Sequence, residues 1–198
     1  MNIGLTGGIA CGKSTVSGML VSRGALLVDA DQIARDVVQP GSPVLEQVAA
    51  HFGQAVLNPD GSLNRKKLGE LIFGSEEQRK ALEGILHPPI RARMRSQMAA
   101  YEREQPDKLV VVDVPLLFES GLASMFEATL VVYVPREVQL ERLIARDALT
   151  EAQAALRLEA QMGIEEKRKL ADFVIDNSGT LEQTMEQVEH FLTEKGLT

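Results

Sequence analysis

The chain has 198 residues, 44% of them hydrophobic and 25% charged, and a formal net charge of −7. That length suits one domain, or one core with a large insertion, and the acidic balance argues against broad, non-specific nucleic-acid binding while leaving room for a local basic cleft. The single cysteine, Cys11, excludes an intrachain disulfide and fits a reducing compartment; no apolar run approaches the roughly 18 residues of a membrane span, and the N-terminus lacks the pattern of a secretory signal, so a cytoplasmic protein is expected.

Residues 2–6 (NIGLT) form a short alternating run ahead of glycines, the pattern of a strand. Beyond the glycines, Val16, Met19 and Leu20 recur at helical spacing and Gly24 stands where that helix should stop. Between strand and helix lies GGIACGKS, in which Gly7 and the Gly12-Lys13-Ser14 group match a phosphate-binding loop. Glycines let the backbone wrap closely and turn its N–H groups inward, and the helix N-terminus adds its positive end. Lys13 can reach β- and γ-phosphates, and the Ser14 hydroxyl can hold Mg²⁺. A dinucleotide fingerprint does not fit, because its second glycine would fall on Ile9 or Ala10. Cys11 reads first as a small residue in a loop that works through its backbone; a secondary expectation is a thiol pKa lowered by Lys13 and the helix start.

Further strands are expected at residues 25–28, 109–112, 129–134 and 173–175, separated by helical patterns, as in a parallel sheet flanked by helices. Functional side chains should then gather beyond the C-terminal ends of the strands. The second strand runs into DADQIAR. There, Asp29 and Asp31 are each candidates for a catalytic carboxylate or a helix N-cap; for a transfer reaction Asp31 is the favoured base.

About 70 residues separate the second and third strands, far more than one crossover helix needs. Val44, Leu45, Val48, Ala49 and Phe52 predict one helical face, and Leu68, Leu71 and Ile72 another, with NPDGSLN as a turn between them. SEEQ at 75–78 reads as a capping box, the HPP at 87–89 is expected to interrupt the helix, and Ile90, Met94, Met98 and Tyr101 resume it. This is a natural acceptor-binding subdomain, and Arg65, Lys66, Lys67, Arg91, Arg93 and Arg95 supply it with cations.

The third strand ends in Asp113, where phosphate-loop proteins often place the aspartate that supports Mg²⁺ through water. After the fourth strand, Gln139, Arg142 and Arg146 share one helical face, suited to a lid whose arginines neutralise a moving phosphoryl group; a solvated face is the other reading. Thr150 and Gln153 suggest a further cap. No Asn-Lys-x-Asp occurs, so the usual guanine-reading signal is missing and small-molecule kinases are the best class.

With these residues in place the chain resembles the dephospho-coenzyme A kinase family. The matching stretches are GLTGGIACGKSTV, DADQIAR, LEGILHPPIRARM, DVPLLFESGL, VYVPREVQLERLIARD and EAQMGIEEKRKLADFVIDNSG. The family often has Gly-Ser where this chain has Ala10-Cys11. The resemblance implies transfer of the ATP γ-phosphate to the ribose 3′-hydroxyl of dephospho-CoA, with Mg²⁺. It implies an α/β, three-layer P-loop kinase fold with a five-stranded parallel sheet in order 2-3-1-4-5. Carried over residue by residue, Gly8, Ala10, Cys11, Gly12, Lys13, Ser14 and Thr15 hold ATP phosphates and Asn177 lies near adenine. Asp31 is the base, with Arg35, His87 and Arg91 lining the acceptor side, though His87 before proline also fits a helix-end cap. Arg142 and Arg146 belong to the lid; Ser14 and Asp113 serve the metal. The implied organisation is one domain, 1–198, with its core at 1–35, 108–135 and 172–198, a helical acceptor-binding insertion at 36–107 and a lid at 136–171. Nucleic acid and membrane are not expected partners, and a monomer or small homo-oligomer is. Other nucleoside or nucleotide kinases, and a non-catalytic ATP-binding module, are the competing readings.

Overall fold

The structure, a computed structural model, describes residues 1–197. Its sheet consists of β1 (Asn2–Gly7), β2 (Leu26–Asp29), β3 (Val110–Asp113), β4 (Ala128–Tyr133) and β5 (Phe173–Asp176), in the order β2-β3-β1-β4-β5. It is a parallel sheet with helices on both faces, as the resemblance implied. β1 lies at the centre, pairing Leu5 with Asp113 on one side and with Leu130 on the other. β1 and β4 are buried along their whole length, which suits the near-continuous apolar run of β4; β1, which alternates in sequence, is buried on both faces as well. Gly4 is needed here because a Cβ would collide with the Leu117 and Phe126 side chains.

The helices among the described residues are α1 (Lys13–Ser22), α2 (Ala30–Asp36), α3 (Pro43–Phe52), α4 (Arg65–Ile72), α5 (Glu76–Glu104), α6 (Arg136–Asp147), α7 (Glu151–Glu159), α8 (Ile164–Leu170) and α9 (Leu181–Glu194). α1 stops where expected, with Gly24 at φ 93°. Thr150 and Gln153 form a full capping box on α7, and Thr180 and Gln183 another on α9. No helix among the described residues is long and apolar enough to cross a membrane.

The chain divides into two compact units, one of Met1–Val28 with Met98 onward and one of Asp29–Gln97. The core of the first is built on β1 and β4, with Val16 and Leu20 of α1 and Val188, Phe191 and Leu192 of α9. The second has its own core of Val48, Ala49, Val56, Leu68 and Leu82. Its NPDGSLN segment is the expected turn: Asn58 N–H donates to the Ser62 carbonyl at 2.8 Å and Gly61 sits at φ 80°. Leu71, predicted to face that core, is instead 40% exposed.

α5 corrects the expected interruption at HPP. The helix runs unbroken through Pro88 and Pro89 for 29 residues. Each interior proline removes a backbone donor and crowds the preceding turn, at a cost of about 3 kcal/mol. Burial on both sides of the pair is of the same size: Leu82, Met94 and Met98 are all buried, each contributing about 1.5–3 kcal/mol. Packing overrides local propensity, and Ser75 Oγ starts the helix by accepting the Gln78 N–H at 3.2 Å.

Candidate active site

The loop between β1 and α1 is shaped by what holds its carbonyls. The Gly7 carbonyl accepts from Lys167 Nζ at 3.4 Å, the Ile9 carbonyl from Gln139 Nε2 at 2.8 Å, and the Cys11 carbonyl from Asn177 Nδ2 at 2.8 Å. A planar trans peptide points its N–H opposite to its carbonyl, so fixing these carbonyls also fixes where the N–H groups of Gly8, Ala10 and Gly12 aim. Among the described residues, no acceptor is found for the N–H groups of Ala10, Gly12, Lys13 or Ser14. The last two belong to the orphan donors that any helix N-terminus leaves. The result is an array of open donors at the positive end of α1, which is what an anionic polyphosphate requires. Gly12 has φ 80° and its Cβ would run into Asn177 Nδ2, so both conformation and space demand glycine there.

Lys13 Nζ forms an ion pair with Asp113 Oδ1. The loop after β3 is tied to β1 at the same end, since Thr6 Oγ1 donates to the Pro115 carbonyl at 3.0 Å. Arg142 donates from Nη2 to the Asn177 carbonyl at 2.9 Å, and Arg146, on the same helix and exposed, pairs with Asp147 at 2.8 Å. Lys13, Asp113, Arg142 and Asn177 therefore fall within one bonded framework in the first unit. Asn177 is 5% exposed, and both polar atoms of its side chain are engaged, Nδ2 donating to Cys11 and Oδ1 accepting from Thr184 Oγ1 at 2.9 Å.

In the second unit, Asp29 and Asp31 separate cleanly. Asp29 is the N-cap of α2, its Oδ1 accepting the Gln32 N–H at 2.9 Å. Asp31 lies in the first helical turn, exposed and not used as the cap. Arg35, in the last turn of α2, donates to Gln32 Oε1 at 3.1 Å and is also exposed. His87 and Arg91 are half-buried and four residues apart on α5, so they share a helical face.

The Cys11 thiol corrects an expectation. Burial pushes its pKa up from the ordinary value, and this outweighs the backbone N–H bonds and the nearby Lys167 and Arg142 charges that favour the thiolate. Cys11 is fully buried. Iodoacetamide at pH 8 should label the native protein at least roughly tenfold more slowly than the urea-unfolded chain, since the reactive thiolate is both scarce and covered; equal rates in a mass-spectrometric time course would contradict this.

Three residues shape the site in ways the sequence does not show: Gln139 reads there only as part of the lid face, and Gln161 and Lys167 do not stand out. Gln139 and Gln161 both bond to Ile9, the latter accepting its N–H at 3.2 Å. Lys167 is completely buried and paired with Glu119 at 2.9 Å. Polar side chains in polar segments ordinarily read as solvent-facing, and only the tertiary structure reveals the burial of Gln139 and Lys167.

Comparison with known proteins finds relatives in sequence and fold. A family model described as dephospho-CoA kinase matches residues 1–183. A dephospho-CoA kinase from Shouchella clausii is 50% identical over 188 residues, 95% of each chain. A crystal structure from Thermus thermophilus superposes with a TM-score of 0.83 at 36% identity, covering 98% of this chain and 97% of that one. A dephospho-CoA kinase from Campylobacter jejuni gives 0.65 at 33% identity, covering 98% and 96%.

Proposed function

The chain belongs to the dephospho-CoA kinase family, and from that premise we propose that it moves the γ-phosphoryl group of ATP onto the ribose 3′-hydroxyl of dephospho-CoA. The observation that carries this reading is the loop at residues 7–13, with the Gly7, Ile9 and Cys11 carbonyls held from behind and the N–H groups of Ala10, Gly12 and Lys13 left open.

In the proposed reaction the triphosphate lies along the loop of Gly8, Ala10, Cys11, Gly12, Lys13, Ser14 and Thr15, facing the open N–H groups of Ala10, Gly12, Lys13 and Ser14. Lys13 exchanges Asp113 for the β- and γ-phosphates. Asp31 accepts the proton of the 3′-hydroxyl as its oxygen attacks the γ-phosphorus; the bond from that phosphorus to the β–γ bridging oxygen breaks, and ADP leaves. Arg142 and Arg146 neutralise charge on the phosphoryl group in transit. Arg35, His87 and Arg91 orient the acceptor, received by the helical segment 36–107, while 136–171 closes as a lid. Asn177 stands at the adenine side and acts by bracing the loop through Cys11.

Mg²⁺ fits the donor set. Ser14 offers a hydroxyl and Asp113 a carboxylate, both hard oxygen ligands, and this ion commonly takes only one or two protein ligands beside phosphates and water. When bound it would neutralise charge on the β- and γ-phosphates. A lone buried cysteine and a supply of ATP suit the cytoplasm.

The test is ADP release from ATP and Mg²⁺ against a panel of AMP, CMP, uridine and dephospho-CoA. Release dependent on dephospho-CoA alone is expected. A preference for another acceptor, or ATP binding with no phosphorylated product from any of them, overturns the reading.

A further inference from the structure

Ile9 is gripped on both sides of its backbone by glutamines from the segment after β4. Gln139 in α6 is only 3% exposed and donates to the Ile9 carbonyl at 2.8 Å. Gln161, between α7 and α8, accepts the Ile9 N–H at 3.2 Å. The fit leaves no slack, because a Cβ on Gly8 would collide with Gln139 Nε2.

The residue after Ile9 is conformationally costly. Ala10 has φ 61°, a left-handed backbone that strains an L-residue. It is the third residue of a turn closed by Cys11 N–H to the Gly8 carbonyl at 3.2 Å. Ile9 is not among the residues of positive φ, so this is the type II arrangement, in which glycine is the natural third residue. Its central peptide joins Ile9 to Ala10. If that peptide turned over to the type I arrangement, Ala10 would regain a negative φ. The Ile9 carbonyl would then leave Gln139, and the Ala10 N–H would swing to the opposite side. Alanine favours the flip and Gln139 opposes it, because the Ile9 carbonyl it holds belongs to the peptide that would turn, whereas Gln161 holds the preceding peptide through the Ile9 N–H. One hydrogen bond is of the same order as the strain of one left-handed alanine, so the Gln139 bond decides the balance.

We propose that Gln139 is a positioning residue that locks the Ile9–Ala10 peptide so that the Ala10 N–H faces the nucleotide phosphates, a task made necessary by alanine at position 10. This rests on the reading of the loop as an ATP site. It also couples the lid segment to the loop, since Gln139 shares α6 with Arg142 and Arg146.

The test is a double-mutant cycle read by calorimetric titration with ATP and Mg²⁺, without dephospho-CoA. Gln139→Leu should weaken ATP binding about tenfold with alanine at position 10 and no more than about twofold in the Ala10→Gly background, a coupling of ordinary size for groups acting on one peptide. Glycine tolerates the left-handed conformation unaided, so it should rescue the loss. Equal losses in the two backgrounds, or no loss with alanine, overturn the proposal. Should Gln139→Leu lack a cooperative melting transition, Gln139→Met, which keeps the side chain's length without its amide donor, replaces it in both backgrounds, with the same expected and contrary outcomes. A parent that binds ATP but transfers nothing to dephospho-CoA contradicts the proposed reaction and leaves this cycle readable; a parent that binds no ATP overturns both.

Discussion

Asp31→Asn should lower turnover by at least about 100-fold, the lower range for losing a positioned general base, while KM for ATP stays within about threefold of the parent. Asparagine keeps the size of the side chain and its acceptor oxygen but cannot take a proton. A 100-fold loss corresponds to about 2.7 kcal/mol of transition-state stabilisation. Asp29 provides the internal comparison. It caps α2 through the Gln32 N–H, so Asp29→Ala should cost about 1 kcal/mol of stability and leave turnover near that of the parent. Steady-state kinetics and urea titration of the two variants separate the roles. Near-normal turnover in Asp31→Asn would remove the base assignment, and a turnover collapse in Asp29→Ala would transfer it.

Glu119→Leu should destabilise the protein by about 3 kcal/mol, the lower end of the cost of orphaning a buried charge. The Lys167 side chain is 0% exposed and that of Glu119 is 22% exposed, so water screens the pair from one side only. Without the carboxylate, the ammonium keeps the Pro115 carbonyl at 3.1 Å and the Gly7 carbonyl at 3.4 Å, dipoles in place of a full counter-charge. The Glu119 carboxylate also accepts the Met162 N–H at 3.1 Å, which leucine cannot replace. Urea denaturation should show a lower midpoint at unchanged slope. Adding Lys167→Met should recover most of the loss, because an apolar pair of similar volume removes the need for compensation. A single-variant cost under about 1 kcal/mol, the range of an exposed ion pair, would contradict the buried-charge account.

The phosphate loop and the strands were legible because both rest on local rules. Apolar runs such as VVVD and ATLVVY have few alternatives to a buried strand, and a glycine loop ahead of Lys13 and Ser14 carries its chemistry in its spacing. The competition between Asp29 and Asp31 was visible in the sequence, but only the bond to Gln32 settled which of them caps α2. Pro88 and Pro89 misled because a proline rule describes a helix alone, whereas α5 has buried residues on either side of the pair. The contacts of Gln139, Gln161 and Lys167 were invisible for a related reason. Gln139 and Lys167 lie in polar helical segments and Gln161 between α7 and α8, and their partners stand far away in sequence at Ile9, Gly7 and Glu119. The Cys11 thiol followed the same logic, since a nearby lysine and a helix start were readable while the burial that outweighs them was not.

The most direct test of the central claim is phosphorus NMR of the products after the purified chain is incubated with ATP, Mg²⁺ and dephospho-CoA. The account predicts ADP and coenzyme A in equal amounts, with one new phosphomonoester on the ribose 3′-oxygen. ATP consumed to inorganic phosphate with dephospho-CoA unchanged, or a phosphate attached at any other oxygen, would contradict it.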